Sequence, residues 1–136
     1  MNVLFQLELI NLIIYFKNYL INQLIDLELL LKTLIDLENE VKEYKIIKNI
    51  YKLIYSIIFN IFTSPNEEKY KNINIKKILE IFPYYNLSQL FVVLKFRKIT
   101  NTNLIKFSND FDMLTISYKI IINREQKFNE DLNINK

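Results

Sequence analysis

The chain contains no cysteine and no histidine. Those two absences remove thiol nucleophiles, Ser/His and Cys/His triads, disulfides, and zinc sites built on Cys or His. They also remove the side chain best suited to proton transfer near neutral pH. Glycine is absent too. Phosphate-cradling loops of the P-loop and dinucleotide types are thereby excluded, and Asn and Asp are left to fill left-handed turn positions. Alanine is missing and proline occurs only twice. Ile, Asn and Lys abound in their place, a set encoded by AT-rich codons, so the skew reads as nucleotide bias.

For catalysis only carboxylates and lysine remain. Glu67-Glu68, Asp110/Asp112 and Glu38/Glu40 are the candidate pairs. Each lies in a charged or capping stretch and is expected to be solvated surface, and no spacing suggests two carboxyls held across a cleft. The expectation is a protein that is not an enzyme and needs no cofactor or metal. Net charge is only +3. Lys42, Lys45, Lys48 and Lys52 recur at helical spacing, but Glu38, Glu40 and Glu43 accompany them. That face reads as mixed-charge solvated helix rather than a nucleic-acid contact.

With 136 residues, of which 51% are hydrophobic, the chain can bury one ordinary core. A membrane span needs about 20 apolar residues. The longest charge-free runs, Leu53 to Asn66 and Ile81 to Leu94, are shorter, and each contains a proline. Glu8 interrupts the N-terminal apolar run. A soluble or peripheral protein without a transmembrane segment is expected.

Residues 2–38 carry Leu4, Leu7, Ile10, Ile14, Ile21, Leu24, Leu27 and Leu31 at helical spacing. The apolar stripe is wide, so this helix needs cover from the chain or from a partner. A polar break over 38–43 predicts a joint, and Ile46 through Ile61 predict a second helix over 41–62. At Ser64-Pro65-Asn66-Glu67 a capping box predicts a short helix from Pro65 through Tyr70. Asn72 to Ile75 alternates as a short strand. A brief helix over 78–82 stops at Pro83, and Asn86 with Gln89 suggests capping of a helix over 87–95. Residues 96–100 and 104–107 read as strands around Asn101-Thr102-Asn103. Ser108 or Asn109 would cap a final helix carrying Phe111, Leu114, Tyr118 and Ile121. The polar end, 127–136, is expected to fray.

The stretch Asn60-Ile61-Phe62-Thr63-Ser64-Pro65-Asn66-Glu67-Glu68-Lys69-Tyr70-Lys71-Asn72-Ile73 resembles the signature of the PUB domain. That signature is a helix ending in Asn, then Asn-Pro, an acidic pair, Lys-Tyr-Arg and an isoleucine strand. Ile81-Phe82-Pro83, the helix from Leu87 into Lys95-Phe96, and Asn103-Leu104-Ile105 resemble later elements of the family in order and spacing. Lys95 stands where the family has glycine, and Lys71 where it has arginine.

The resemblance covers about 45–124. It implies an α+β, predominantly helical fold with a small three-stranded antiparallel sheet, preceded by one or two extra N-terminal helices. The expected organisation is an apolar helical extension over 1–44, the PUB-like domain over 45–126 and a tail over 127–136. PUB domains are non-catalytic adaptors of the ubiquitin-proteasome pathway. They dock the C-terminal tail of the hexameric AAA ATPase of the valosin-containing-protein (Cdc48) type. A cytoplasmic, nuclear or endoplasmic-reticulum-peripheral location would follow. The resemblance implies a peptide-binding site at Asn60 and Tyr70, flanked by Lys69, Lys71 and Asn74. A second protein partner could meet the N-terminal helices. The alternative reading is a structural subunit of a larger assembly, such as an organellar one, held by the apolar N-terminal helix.

Overall fold

A computed structural model describes residues 2–134. The first helix, α1, runs unbroken over Val3–Val41. No proline or glycine interrupts it, and the Asn2 side chain accepts a hydrogen bond from the Leu4 amide at 3.0 Å as its N-cap. It ends at Lys42, which takes a left-handed conformation (φ 65°) while its N–H donates to the Glu38 carbonyl. Left-handed caps favour glycine, and this chain uses a lysine.

Helix α2 follows over Tyr44–Thr63. Its inner face, Ile47, Ile50, Tyr51, Ile54, Ile58 and Ile61, is buried. The next element differs from expectation. Ser64 is the C-cap of α2 and does not N-cap the helix that follows. The Glu67 N–H donates to the Ser64 carbonyl at 3.0 Å, closing a turn with Pro65 at its second position, a site that suits proline's fixed φ equally well. Helix α3 is therefore only Glu68–Lys71, with no side-chain cap at Glu67.

Strand β1 (Asn72–Asn74) leads directly into α4 (Ile75–Ile81), whose N-cap Asn74 accepts from the Lys77 amide at 3.1 Å. Helix α5 spans Tyr85–Val93. Asn86 does not cap it through its own side chain. The Glu40 carboxylate reaches across from α1 and accepts from the amides of Tyr85 and Asn86 at 3.0 and 2.9 Å, and from Asn86 Nδ2 at 3.1 Å. An anion at a helix N-terminus is favoured by the dipole as well as by the hydrogen bonds.

Strands β2 (Phe96–Lys98) and β3 (Leu104–Phe107) complete an antiparallel sheet of order β1-β3-β2. The register pairs Ile73 with Ile105 and Phe96 with Phe107. The last helix, α6, covers Phe111–Ile134. Its cap is Asp110, which accepts from the Met113 amide at 3.1 Å. The expected caps do other things: Asn109 adopts φ 69° and Ser108 donates its N–H to the Lys95 carbonyl. Helix α6 continues past the expected start of a frayed tail at 127, and Phe128 stacks on Tyr44 at 6.0 Å. Residues 135 and 136 of that tail lie outside the described residues.

The fold is thus α+β and predominantly helical, with a three-stranded antiparallel sheet. Its core joins the C-terminal third of α1 (Leu30, Leu34, Leu37, Val41) to α2, α5, β2, β3 and α6. A division of the chain after residue 44 therefore does not hold. The end of α1 is core, because its stripe is the surface on which α5 and α6 pack. Phe91, Phe96, Phe107 and Phe111 form an aromatic chain with centroids 5.3–5.5 Å apart.

The rest of α1 is bare. From Val3 to Ile25 its large apolar side chains are exposed, with Leu12 at 51% and Phe16 at 53%. By length and composition, α1 and α2 each hold a window apolar enough to cross a membrane, with mean hydropathy 1.2. Helix α2 spends its apolar face on the core. In α1 the apolar window is bare, and Glu8 and Lys17 are the charged side chains along Val3–Ile25.

Candidate functional site

Tyr70 lies on α3, the single turn that packs against the end of α2. Its side chain is half-buried and stands apart from the hydrophobic core cluster. The Lys69 ammonium sits over its ring, 5.1 Å from the centroid, a cation–π contact at the surface. Asn60 lies in the last turn of α2, half-buried, and its carbonyl receives the Ser64 N–H. Leu53, Ile57 and Asn60 fall at i, i+4 and i+7, all half-buried, so they share one flank of α2. That flank borders the inner face and ends at the turn leading to α3.

Two of the expected peptide contacts are already engaged elsewhere. Lys71 is buried (5% exposed). Its ammonium lies 3.5 Å from Glu68 and 5.5 Å above the Phe111 ring, so it does not face an incoming peptide. A lysine stem is long enough to fold inward over an aromatic, and Glu68 draws the charge with it. Asn74 is the N-cap of α4, with its side-chain oxygen committed to the Lys77 amide.

Glu68 also receives Lys106 at 2.8 Å. The hydrogen bond from Lys106 and its charge, helped by Lys71, hold the Glu68 carboxyl below the usual carboxylate value. The single Glu68 carboxylate thus engages both Lys71 and Lys106. Lys69 is the cation left beside Tyr70, with Lys76 and Lys77 exposed on α4. Next to this group, the Asn72 amide donates to the Glu68 carbonyl at 3.1 Å, while Asn72 Oδ1 is buried without a partner.

Neither carboxylate of the Glu38/Glu40 pair is solvated surface. Glu40 caps α5. Glu38 is buried, and Arg124 of α6 grips it from Nε at 3.0 and 3.1 Å and from Nη2 at 2.6 Å. The Tyr51 hydroxyl donates to the same carboxylate at 2.8 Å. Burial, then the Glu38 charge, pushes the Tyr51 phenol far above its ordinary value. Tyr55 donates to Glu125 at 3.0 Å, and burial with that hydrogen bond raises it too. These phenols stay neutral donors at any ordinary pH. The arrangement ties α1, α2 and α6 together and presents no nucleophile.

Asp110 is the α6 cap, and Glu67 is exposed beside the turn. No group of three or more acidic side chains able to hold a metal occurs among the described residues. Four shallow concavities are lined by other parts of the surface, including one formed by Tyr19, Asn22, Gln23, Asp26, Asp110 and Met113. Neither Asn60 nor Tyr70 lines any of these four.

The chain matches no protein-family model, no curated protein and no solved structure.

Proposed function

We propose that the chain is a non-catalytic adaptor that docks a short C-terminal tail peptide beside Tyr70. The observation that carries this reading is the half-buried Tyr70 ring, outside the core, on α3, the short turn that contacts α2, whose last turn bears Asn60. An apolar or aromatic tail residue would lie against the ring. The Asn60 amide would hydrogen-bond the extended peptide backbone. Lys69 would meet an acidic group on the tail.

Two further features support the PUB-like reading. The glycine of the family's helix-end Gly-Phe corresponds to Lys95, and Lys95 holds the left-handed conformation (φ 70°) that a glycine would supply. The three-stranded antiparallel sheet is of the kind the resemblance implies. On this reading the partner is the tail of an AAA ATPase of the valosin-containing-protein type, and the context is ubiquitin-dependent protein quality control.

The contact would be small and reversible. Calorimetric titration with a synthetic C-terminal peptide of that ATPase tests it. Tyr70→Ala and Asn60→Ala should each weaken binding tenfold or more, and Lys71→Ala should act only through stability. Unchanged affinity in both Tyr70→Ala and Asn60→Ala would refute the site.

A further inference from the structure

The bare part of α1 continues a stripe that is covered further along. Leu30, Leu34 and Val41 face the core. The same face, followed toward the N-terminus at helical spacing, carries Gln23, Tyr19, Phe16, Leu12, Leu9 and Phe5, with Leu20 and Ile13 along its edge. Phe5, Leu9, Leu12, Ile13, Phe16 and Leu20 are all exposed. Cover from the domain stops near Tyr19 and Asp26, where Asp110 and Met113 approach α1 and Lys95 pairs with Asp26 at 3.1 Å. Beyond that point nothing in the described chain packs on α1.

We propose that a second copy of this chain covers the arm, with the two α1 helices antiparallel and centred between Leu12 and Ile13. Four features select this occupant. Positions 5, 9, 12, 13, 16 and 20 are symmetric about that centre, so reversing the stripe reproduces it. Antiparallel pairing then sets Phe5 level with Leu20 of the second copy, Leu9 with Phe16, and Leu12 with Ile13. Each phenylalanine meets a leucine, so no two large rings compete for one space, and the same patch serves both copies as a two-fold axis requires.

Glu8 falls level with Lys17 of the second copy, whereas a parallel pair would set like charges level. The helix dipoles also oppose. Finally, the length fits. In this register Val3 of one copy is level with Asn22 of the other, where the domain surface begins. A bilayer is the poorer occupant, since Glu8, Lys17 and three asparagines interrupt the arm on several faces.

Six such side chains and their neighbours would bury on the order of 1,000–1,200 Å² over both copies, at or just below the smallest stable specific interfaces and in the range of weak, reversible ones.

The chain has no native cysteine, so single cysteines report the register. The 136-residue chain should sediment as a dimer at tens of micromolar. Leu12→Cys should form a disulfide with itself on oxidation. Phe5→Cys and Leu20→Cys should cross-link when mixed and fail to do so separately, as their own copies lie far apart along the pair. Phe16→Glu should weaken dimerisation by roughly a hundredfold. Phe16 lies outside the core, so near-ultraviolet circular dichroism of that variant should still show the native fold. A monomer at 100 µM, self-cross-linking of Phe5→Cys alone, or partition of the native chain into neutral phospholipid vesicles in preference to dimerisation would overturn the proposal.

Discussion

Replacing Arg124 by Met removes both arms of the guanidinium from Glu38 and leaves a carboxylate inside the protein with only the Tyr51 hydroxyl. The Glu38 side chain is 6% exposed and that of Arg124 17%. Breaking a buried pair by deleting one member costs about 3–5 kcal/mol, because the remaining charge stays desolvated. Arg124 retains some contact with water, so about 2–4 kcal/mol is expected for Arg124→Met. Glu38→Gln keeps the shape and an acceptor for Tyr51 but strands the guanidinium, for about 1–3 kcal/mol. Tyr51→Phe removes a hydrogen bond to a charged group, worth about 1.5–3 kcal/mol.

The double variant Glu38→Gln/Arg124→Met should cost less than the two singles together, by about 1–3 kcal/mol, since the second change removes a group the first has already orphaned. Urea unfolding at pH 7 followed by tyrosine fluorescence measures all four. The expected stability of a domain this size is about 5–15 kcal/mol, so these are large fractions of the total. Singles within 0.5 kcal/mol of the native protein, or singles that simply add, would show that the three helices are not joined through this carboxylate.

Other outcomes follow from the same structure. Lys42→Gly should stabilise by about 0.5–1 kcal/mol, because φ 65° costs a residue bearing Cβ and costs glycine nothing; the urea midpoint measures it. Glu40→Ala should cost about 1 kcal/mol through the uncapped N-terminus of α5, with faster hydrogen exchange at the Tyr85 and Asn86 amides. The Glu68 carboxyl titrates lower in the folded chain than in the unfolded one. Its contribution to stability is therefore complete above the ordinary carboxylate range and is lost as pH falls through the depressed folded value. Glu68→Gln should flatten that part of the acid-unfolding curve and leave the neutral-pH slope unchanged.

Most of the fold was legible in the pattern. The helical period gave α1, α2 and α6, the Asn72–Ile75 alternation gave β1, and the asparagine-rich turn gave the β2–β3 pair. The misses share a physical cause. Proline suits the second position of a turn as well as the first position of a helix, so Ser64-Pro65 alone could not separate the two. Glu38, Glu40 and Lys71 looked like surface because charge usually is. The partners of the two glutamates lie far along the chain, Arg124 86 positions from Glu38 and Asn86 46 from Glu40, where no local rule reaches, and Lys71, though paired with nearby Glu68, is folded over Phe111 of α6. Lys42 and Lys95 at positive φ were invisible for a different reason: with no glycine in the chain, the usual marker of a left-handed cap is absent. At the candidate site, the sequence singled out Asn60 and Tyr70, but it could not show that Glu68 takes up Lys71 and Lys106.

The docking surface is tested most directly by nuclear magnetic resonance. The isotope-labelled chain is titrated with the C-terminal tail peptide of the AAA ATPase, and amide and side-chain shifts are mapped. The account predicts perturbations concentrated on the Asn60 amide, Lys69, Tyr70 and the α2 flank at Leu53 and Ile57, saturating with added peptide. Absence of any saturable shift, or shifts confined to α1 and the far face of α6, would contradict it.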